Sequence, residues 1–168
     1  MEAEIEKQFL AAYETYADAL FRHCYFRVYD RELAKDLVQE TFCRTWTYLS
    51  KGKEVENIRA FLYRILRNVI VDEVRRKKPL SLDQLVEEGF SAADGSTPDS
   101  EQQFAVKEIF QKLQALGEPY QDILQMRFID DLSPKEISVV LGISENAVGV
   151  RLHRGTEKLR LLIQKGAR

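Results

Sequence analysis

The chain has 168 residues and a formal net charge of −2, with 45% hydrophobic and 31% charged residues. That balance belongs to globular chains, at a length that fits one ordinary domain or two small ones, and it excludes collagen-like and disordered classes. No apolar run approaches the roughly 18 residues of a membrane span, and the charged opening MEAEIEKQ has no apolar core after it, so a cytoplasmic chain without membrane insertion is expected. Cys24 and Cys43 stand apart from each other and from any Cys/His cluster, so neither a disulfide scaffold, a metal nor a cofactor is expected.

Apolar spacing is helical nearly throughout, and no alternating β-branched run is bounded by turn residues. The first helix is expected over about 4–29, through Ile5, Phe9, Tyr13, Tyr16, Leu20 and Phe26. A second follows over about 31–49, with the stripe Leu33, Leu37, Val38, Phe42, Trp46 and Leu49, until Lys51-Gly52-Lys53 breaks it. A third is expected over about 57–77, with Asn57 as N-cap and Ile58, Phe61, Leu62, Ile65, Val69 and Ile70 on its apolar face. Most of the many aromatic side chains before Pro79 are assigned to the core, because so small a unit needs large side chains to bury enough area.

Pro79 ends the third helix. Residues 79–101 are acidic, rich in turn residues and without periodicity, and read as a flexible linker. Fully extended, such a segment reaches about 70 Å. The expected fold is therefore all-α: a helical domain over 1–78, the acidic linker over 79–101 and a second helical domain over 102–168.

In the second domain Val106, Ile109, Phe110, Leu113 and Leu116 mark a helix that Gly117 can end. Pro119 fits the start of the next, which carries Ile123, Leu124 and Phe128. Asp130-Asp131-Leu132 reads as a loop. Ser133-Pro134-Lys135-Glu136 then has the spacing of a capping box, with Pro at the first helical position. A short helix through Ile137, Val140 and Leu141 leads to Gly142, with Ile143 at the corner and Ser144 able to cap a last helix. That helix is expected to bury Val148, Leu152, Leu159, Leu162 and Ile163. Helix, short glycine turn, helix is the helix-turn-helix pattern.

Charge becomes informative when divided. Residues 59–78 carry 7 basic and 2 acidic groups, and residues 144–168 carry 6 and 2, whereas residues 79–101 carry 6 acidic groups and no basic one. Two compact cationic segments are the footprint of nucleic-acid binding; solvated helix faces are the bland alternative. On the last helix, Ser144, Glu145, Asn146, Gly149 and Val150 lie at the end that enters a major groove, with Arg151, Arg154 and Lys158 suited to phosphates and Arg151 also able to read a guanine. On the third helix Arg64, Asn68, Asp72 and Arg75 share a polar face that closes in Arg75-Arg76-Lys77-Lys78. Capping of the helix dipole explains the terminal cations, but not Asn68 in mid-helix. Phe61 and Tyr63 stand beside this face and can stack on an unpaired base. The polar face of the second helix, Asp36, Gln39, Glu40 and Arg44, has the wrong charge for DNA and suits either solvent or a protein partner. No nucleophile elbow, phosphate loop or metal-ligand spacing is present, so no enzyme is expected.

The segment Asp36-Leu37-Val38-Gln39-Glu40-Thr41-Phe42 with Arg44 and Trp46, the segment Phe61 to Asn68 with Arg67, Asp72 and the 75–78 cluster, and the segment Leu132 to Ile137 continuing through Val148 to Gly155 together resemble an extracytoplasmic-function sigma factor of bacterial RNA polymerase. The resemblance implies that the first segment docks on the β′ clamp helices, that the second reads the minus-ten element, and that the third reads the minus-thirty-five element. It also implies contact with the β flap, promoter DNA as a partner and an anti-sigma factor. Phe61 departs from the tryptophan common in such proteins, and Gly149 and Val150 replace the usual basic and small polar residues, so the resemblance does not carry over one phosphate contact expected there. Gly149 and Gly155 each weaken the last helix by up to about 1 kcal/mol. Two other readings are a stand-alone helix-turn-helix regulator with an N-terminal sensing module and an adaptor that contacts only proteins.

Overall fold

The computed structural model describes residues 1–77 and 100–167. Every regular element among them is helical: α1 (Glu2–Val28), α2 (Arg31–Ser50), α3 (Ile58–Arg76), α4 (Ser100–Leu116), α5 (Tyr120–Leu124), a π-helical turn (Gln125–Ile129), α6 (Pro134–Leu141) and α7 (Glu145–Gly166). They form two compact units, one built on α1 to α3 together with Val139–Gly142 and the other on the remaining described residues after Ser100. The all-α class and the two units agree with expectation. Lys78 and most of the segment read as a linker lie outside the described residues, and α4 already includes Ser100 and Glu101.

Local chemistry sets the helix ends of the first unit. Tyr29 adopts a left-handed φ of 53° and its N–H bonds the Tyr25 carbonyl at 2.8 Å, which stops α1. Asp30 is extended, and its carboxylate accepts the Leu33 N–H at 2.9 Å to start α2. Asn57 starts α3 in the same way, accepting from Ala60 N–H at 3.0 Å.

The three helices pack on one another around Leu20, Cys24, Ala34, Phe42, Leu49, Leu62, Leu66 and Ile70, all buried. Each fully buried leucine contributes about 1.5–3 kcal/mol over an exposed one. Thr41 and Thr45 are also buried, and their hydroxyls donate at 2.8 Å to the carbonyls of Leu37 and Thr41. The helix thus satisfies its own inward polar groups.

Some expected core positions differ. Tyr63 is not beside the basic face; it is buried, edge-on to His23 with ring centroids 5.4 Å apart, so it cannot stack on a base. Tyr13 is 50% exposed and Trp46 36%. The stripe of aromatics on α1 and α2 is broader than α3 can cover.

In the second unit Leu113, Ile123, Leu124, Met126, Leu132, Ile137 and Val148 form the core. Gly117 takes a φ of 67° after α4, as its expected capping role requires. Pro119 occupies the cap before α5 rather than its first turn. Phe128 is 66% exposed, against expectation. An α-helix would place it one turn after Leu124 on the same face, but the π-helical turn inserts an extra residue and rotates it outward. Ile163 and Ile109 are likewise exposed, on the outer sides of α7 and α4. No helix among the described residues is long and apolar enough to cross a membrane.

Candidate nucleic-acid interface

The turn between α6 and α7 is built from short-range bonds. Ser133 and Glu136 cap each other: the Ser133 N–H donates to Glu136 Oε2 at 2.8 Å, and the Glu136 N–H donates to Ser133 Oγ at 3.1 Å. Gly142 takes a φ of 65° in the turn. The Ser138 hydroxyl donates to the Ile143 carbonyl, and the Ile143 N–H returns to the Ser138 carbonyl at 3.2 Å. Ser144 Oγ then accepts the Ala147 N–H at 3.1 Å and opens α7. Ser138 carries no signal of this role in the sequence; Ser133, Glu136, Gly142 and Ser144 do.

With Val148 and Gly155 buried, α7 turns Asn146, Val150 and Arg154 outward. Glu145 is exposed in the first turn, and Arg151 is half-buried on the flank. Lys158 is exposed but lies over the Tyr120 ring, 5.4 Å from its centroid, which draws it toward its own unit. Gly155 has a packing reason that the sequence did not reveal. A β-carbon there would meet Leu124 and Tyr120 at 3.3 Å, so its absence lets α7 lie close on α5. Gly149 has open space around it.

On α3 the row Arg64, Asn68, Asp72 and Arg75 is exposed along its length, followed by exposed Arg76 and Lys77. Arg67 is half-buried. Lys77 Nζ lies 2.9 Å from Glu73 Oε1, and this contact holds its ammonium pKa above the ordinary value. Phe61 is half-buried against Tyr48, with ring centroids 4.7 Å apart. Lys53, in the connection before α3, covers the Tyr48 ring at 4.9 Å.

On α2 Asp36, Gln39, Glu40 and Arg44 are all exposed, and Arg44 Nε pairs with Glu40 Oε1 at 2.7 Å. Beside them runs a groove of about 780 Å³ between α1 and α2, lined by Phe9, Tyr13, Phe21, Phe42 and Trp46 with Lys35 and Gln39 at its polar margin. Phe9 stands edge-on to Trp46 at 5.2 Å and to Phe42 at 5.9 Å. The assignment to the core holds for Phe42 but not for Tyr13 and Trp46, and the groove they line was missed. Their number relative to the small unit was the available signal.

Known proteins match both units in order. Residues 12–80 match the family Sigma-70 region 2, and residues 107–159 match Sigma-70, region 4. The chain is 31% identical over 161 residues to the ECF RNA polymerase sigma factor SigW of Bacillus subtilis, covering 88% of this chain and 84% of SigW. The chain belongs to the ECF sigma factors.

It is 28% identical to SigM of the same organism over 157 residues, covering 92% of this chain and 94% of that one. SigL of Mycobacterium tuberculosis is 30% identical over 158 residues, covering 92% of this chain and 88% of SigL. The fold agrees with CnrH, solved in complex with the cytosolic domain of CnrY, at a TM-score of 0.72 and 21% identity over 95% of this chain and 90% of that one. As an ECF sigma factor the chain is a transcription initiation factor that binds core RNA polymerase and directs it to promoters. These matches set aside the stand-alone regulator.

Proposed function

We propose that the two units divide promoter recognition between them. The first unit captures the minus-ten element through Phe61, Arg64, Arg67, Asn68, Asp72 and the basic residues 75–78. The second reads the minus-thirty-five element through Ser144, Glu145, Asn146, Val150, Arg151, Arg154 and Lys158. The face of Asp36, Gln39, Glu40 and Arg44, with the neighbouring aromatic groove, docks on the β′ clamp helices, and the second unit meets the β flap. The carrying observation is that two outward rows, Arg64–Asn68 on α3 and Asn146–Arg154 on α7, are each fully formed within their own unit. Asn can hold an unpaired base, and a helix entering a major groove presents its N-terminal residues to base edges. Each unit alone binds weakly, and polymerase raises the effective concentration of both.

The chain acts in the cytoplasm as a binding subunit, without catalysis or cofactor of its own. CnrH and the Bartonella quintana RpoE, solved with the anti-sigma factor NepR, share this fold. By the same reading an anti-sigma factor holds this chain and masks both cationic rows. Run-off transcription with bacterial core polymerase on genomic templates of its host tests the proposal. Promoter-specific transcripts appear only with the chain present; their absence on every template overturns it.

A further inference from the structure

Val150 stands on the side of α7 turned away from Val148 and Gly155, between Asn146 one turn before it and Arg154 one turn after it. All three are exposed, Val150 by 42%. Its chain neighbour Gly149 has no side chain, and a β-carbon placed there would meet nothing within 4 Å. The two valine methyl groups are therefore open to whatever lies against this face. Packing does not require a valine here, and a β-branched residue is a poor choice for an exposed helix position. The polar and cationic residues above and below it form ordinary contacts with nucleic acid. If α7 lies in a groove, an apolar side chain between them is best matched there by an apolar group, because a base's polar group left without a partner is unfavourable.

The major groove offers one such group. Thymine alone presents a methyl group at C5 there, while cytosine presents its N4 amine and a bare C5–H. Valine cannot satisfy that amine, and an amine desolvated against methyl groups without an acceptor is unfavourable. We infer that Val150 is a specificity residue that selects a thymine in the upstream promoter element through its C5 methyl group. This rests on the reading of α7 as the helix that enters the groove, and it adds to that reading a base identity at one position.

The test uses the holoenzyme assembled from core polymerase and the full chain, on duplex promoters in which each upstream thymine in turn is replaced by deoxyuridine. Uracil keeps every hydrogen-bonding group of thymine and lacks only the methyl. The wild-type chain loses about fourfold in affinity at one position, the value of burying one methyl group. Val150→Ser binds thymine and uracil equally at that position. If the wild-type chain tolerates uracil at every position, or if Val150→Ser keeps the same penalty, the inference is overturned. Arg151→Ala with Arg154→Ala tests the underlying reading separately. That variant binds all these duplexes more weakly, with a shallower salt dependence. Unchanged duplex affinity there removes the groove reading itself, whereas weakened affinity without any uracil effect removes only the role of Val150.

Discussion

Gly155 of α7 faces Leu124 of α5 so closely that a β-carbon on the glycine would sit 3.3 Å from Leu124 Cγ. Leu124 is buried and half-buried Tyr120 also stands 3.3 Å from that β-carbon, so Leu124 cannot retreat freely. Gly149, one and a half turns earlier on the same helix, has open space instead. The two glycines should answer substitution differently. Gly149→Ala raises stability by about 0.5–1 kcal/mol, the ordinary helical gain of alanine over glycine. Gly155→Ala gains less, and Gly155→Leu loses about 1–3 kcal/mol through overpacking. Urea unfolding of the three variants checks the order. An equal gain at both alanine positions would show that α5 and α7 are not packed as described.

The two thiols should also separate. Cys43 is exposed and Cys24 fully buried. Burial pushes the Cys24 thiol from its ordinary 9.0 up to about 12, with the nearby Arg27 cation pulling the other way. Tyr29 is pushed from 10.0 up to about 12 for the same first reason. Both groups hold their proton more tightly folded than unfolded. Their stabilisation is complete below the unfolded values and is lost as pH rises through about 9 toward about 12. The melting temperature should therefore fall across that alkaline window, less steeply in Cys24→Ala. A thiol-disulfide reagent at neutral pH should modify one cysteine in the folded chain and two after denaturation. Modification of both in the folded chain would contradict the packing of α1.

Reversing Asp36 and Glu40 to lysine should separate docking from folding. Exposed ion pairs such as Arg44–Glu40 are worth about 0–1 kcal/mol, so the melting temperature should hardly move. Affinity for core polymerase should drop at least about tenfold, since the change reverses two charges on the proposed docking face. Pull-down and titration with labelled core polymerase measure this. Unchanged binding would move the docking surface elsewhere on the chain.

Much of the fold was legible because helix ends depend on a few neighbouring residues. Asn57, the Ser133–Glu136 pair, Gly142 and Ser144 are local signals, and each performs the capping or turning role that its type suggested. What depended on three-dimensional packing was not legible. Phe128 looked like a core residue because the π-helical turn that rotates it leaves no trace in apolar spacing. Tyr63 and Tyr13 are alike as residues, yet one is buried edge-on to His23 and the other lines a groove. Gly155 read as a weakness of α7 until Leu124 and Tyr120 were seen against it. The outward rows on α3 and α7 were visible in advance, since helical spacing alone decides which residues share a face. The attraction of Lys158 to the Tyr120 ring joins residues far apart in sequence and was not.

The central claim is that separate rows on α3 and α7 engage separate promoter elements. Probing of the holoenzyme–promoter complex with the double variant Arg64→Ala, Asn68→Ala tests it most directly. Upstream duplex protection should persist, while permanganate reactivity of unpaired thymines near the start site should be lost. Loss of both signals together, or retention of both, would contradict the division of labour between the two units.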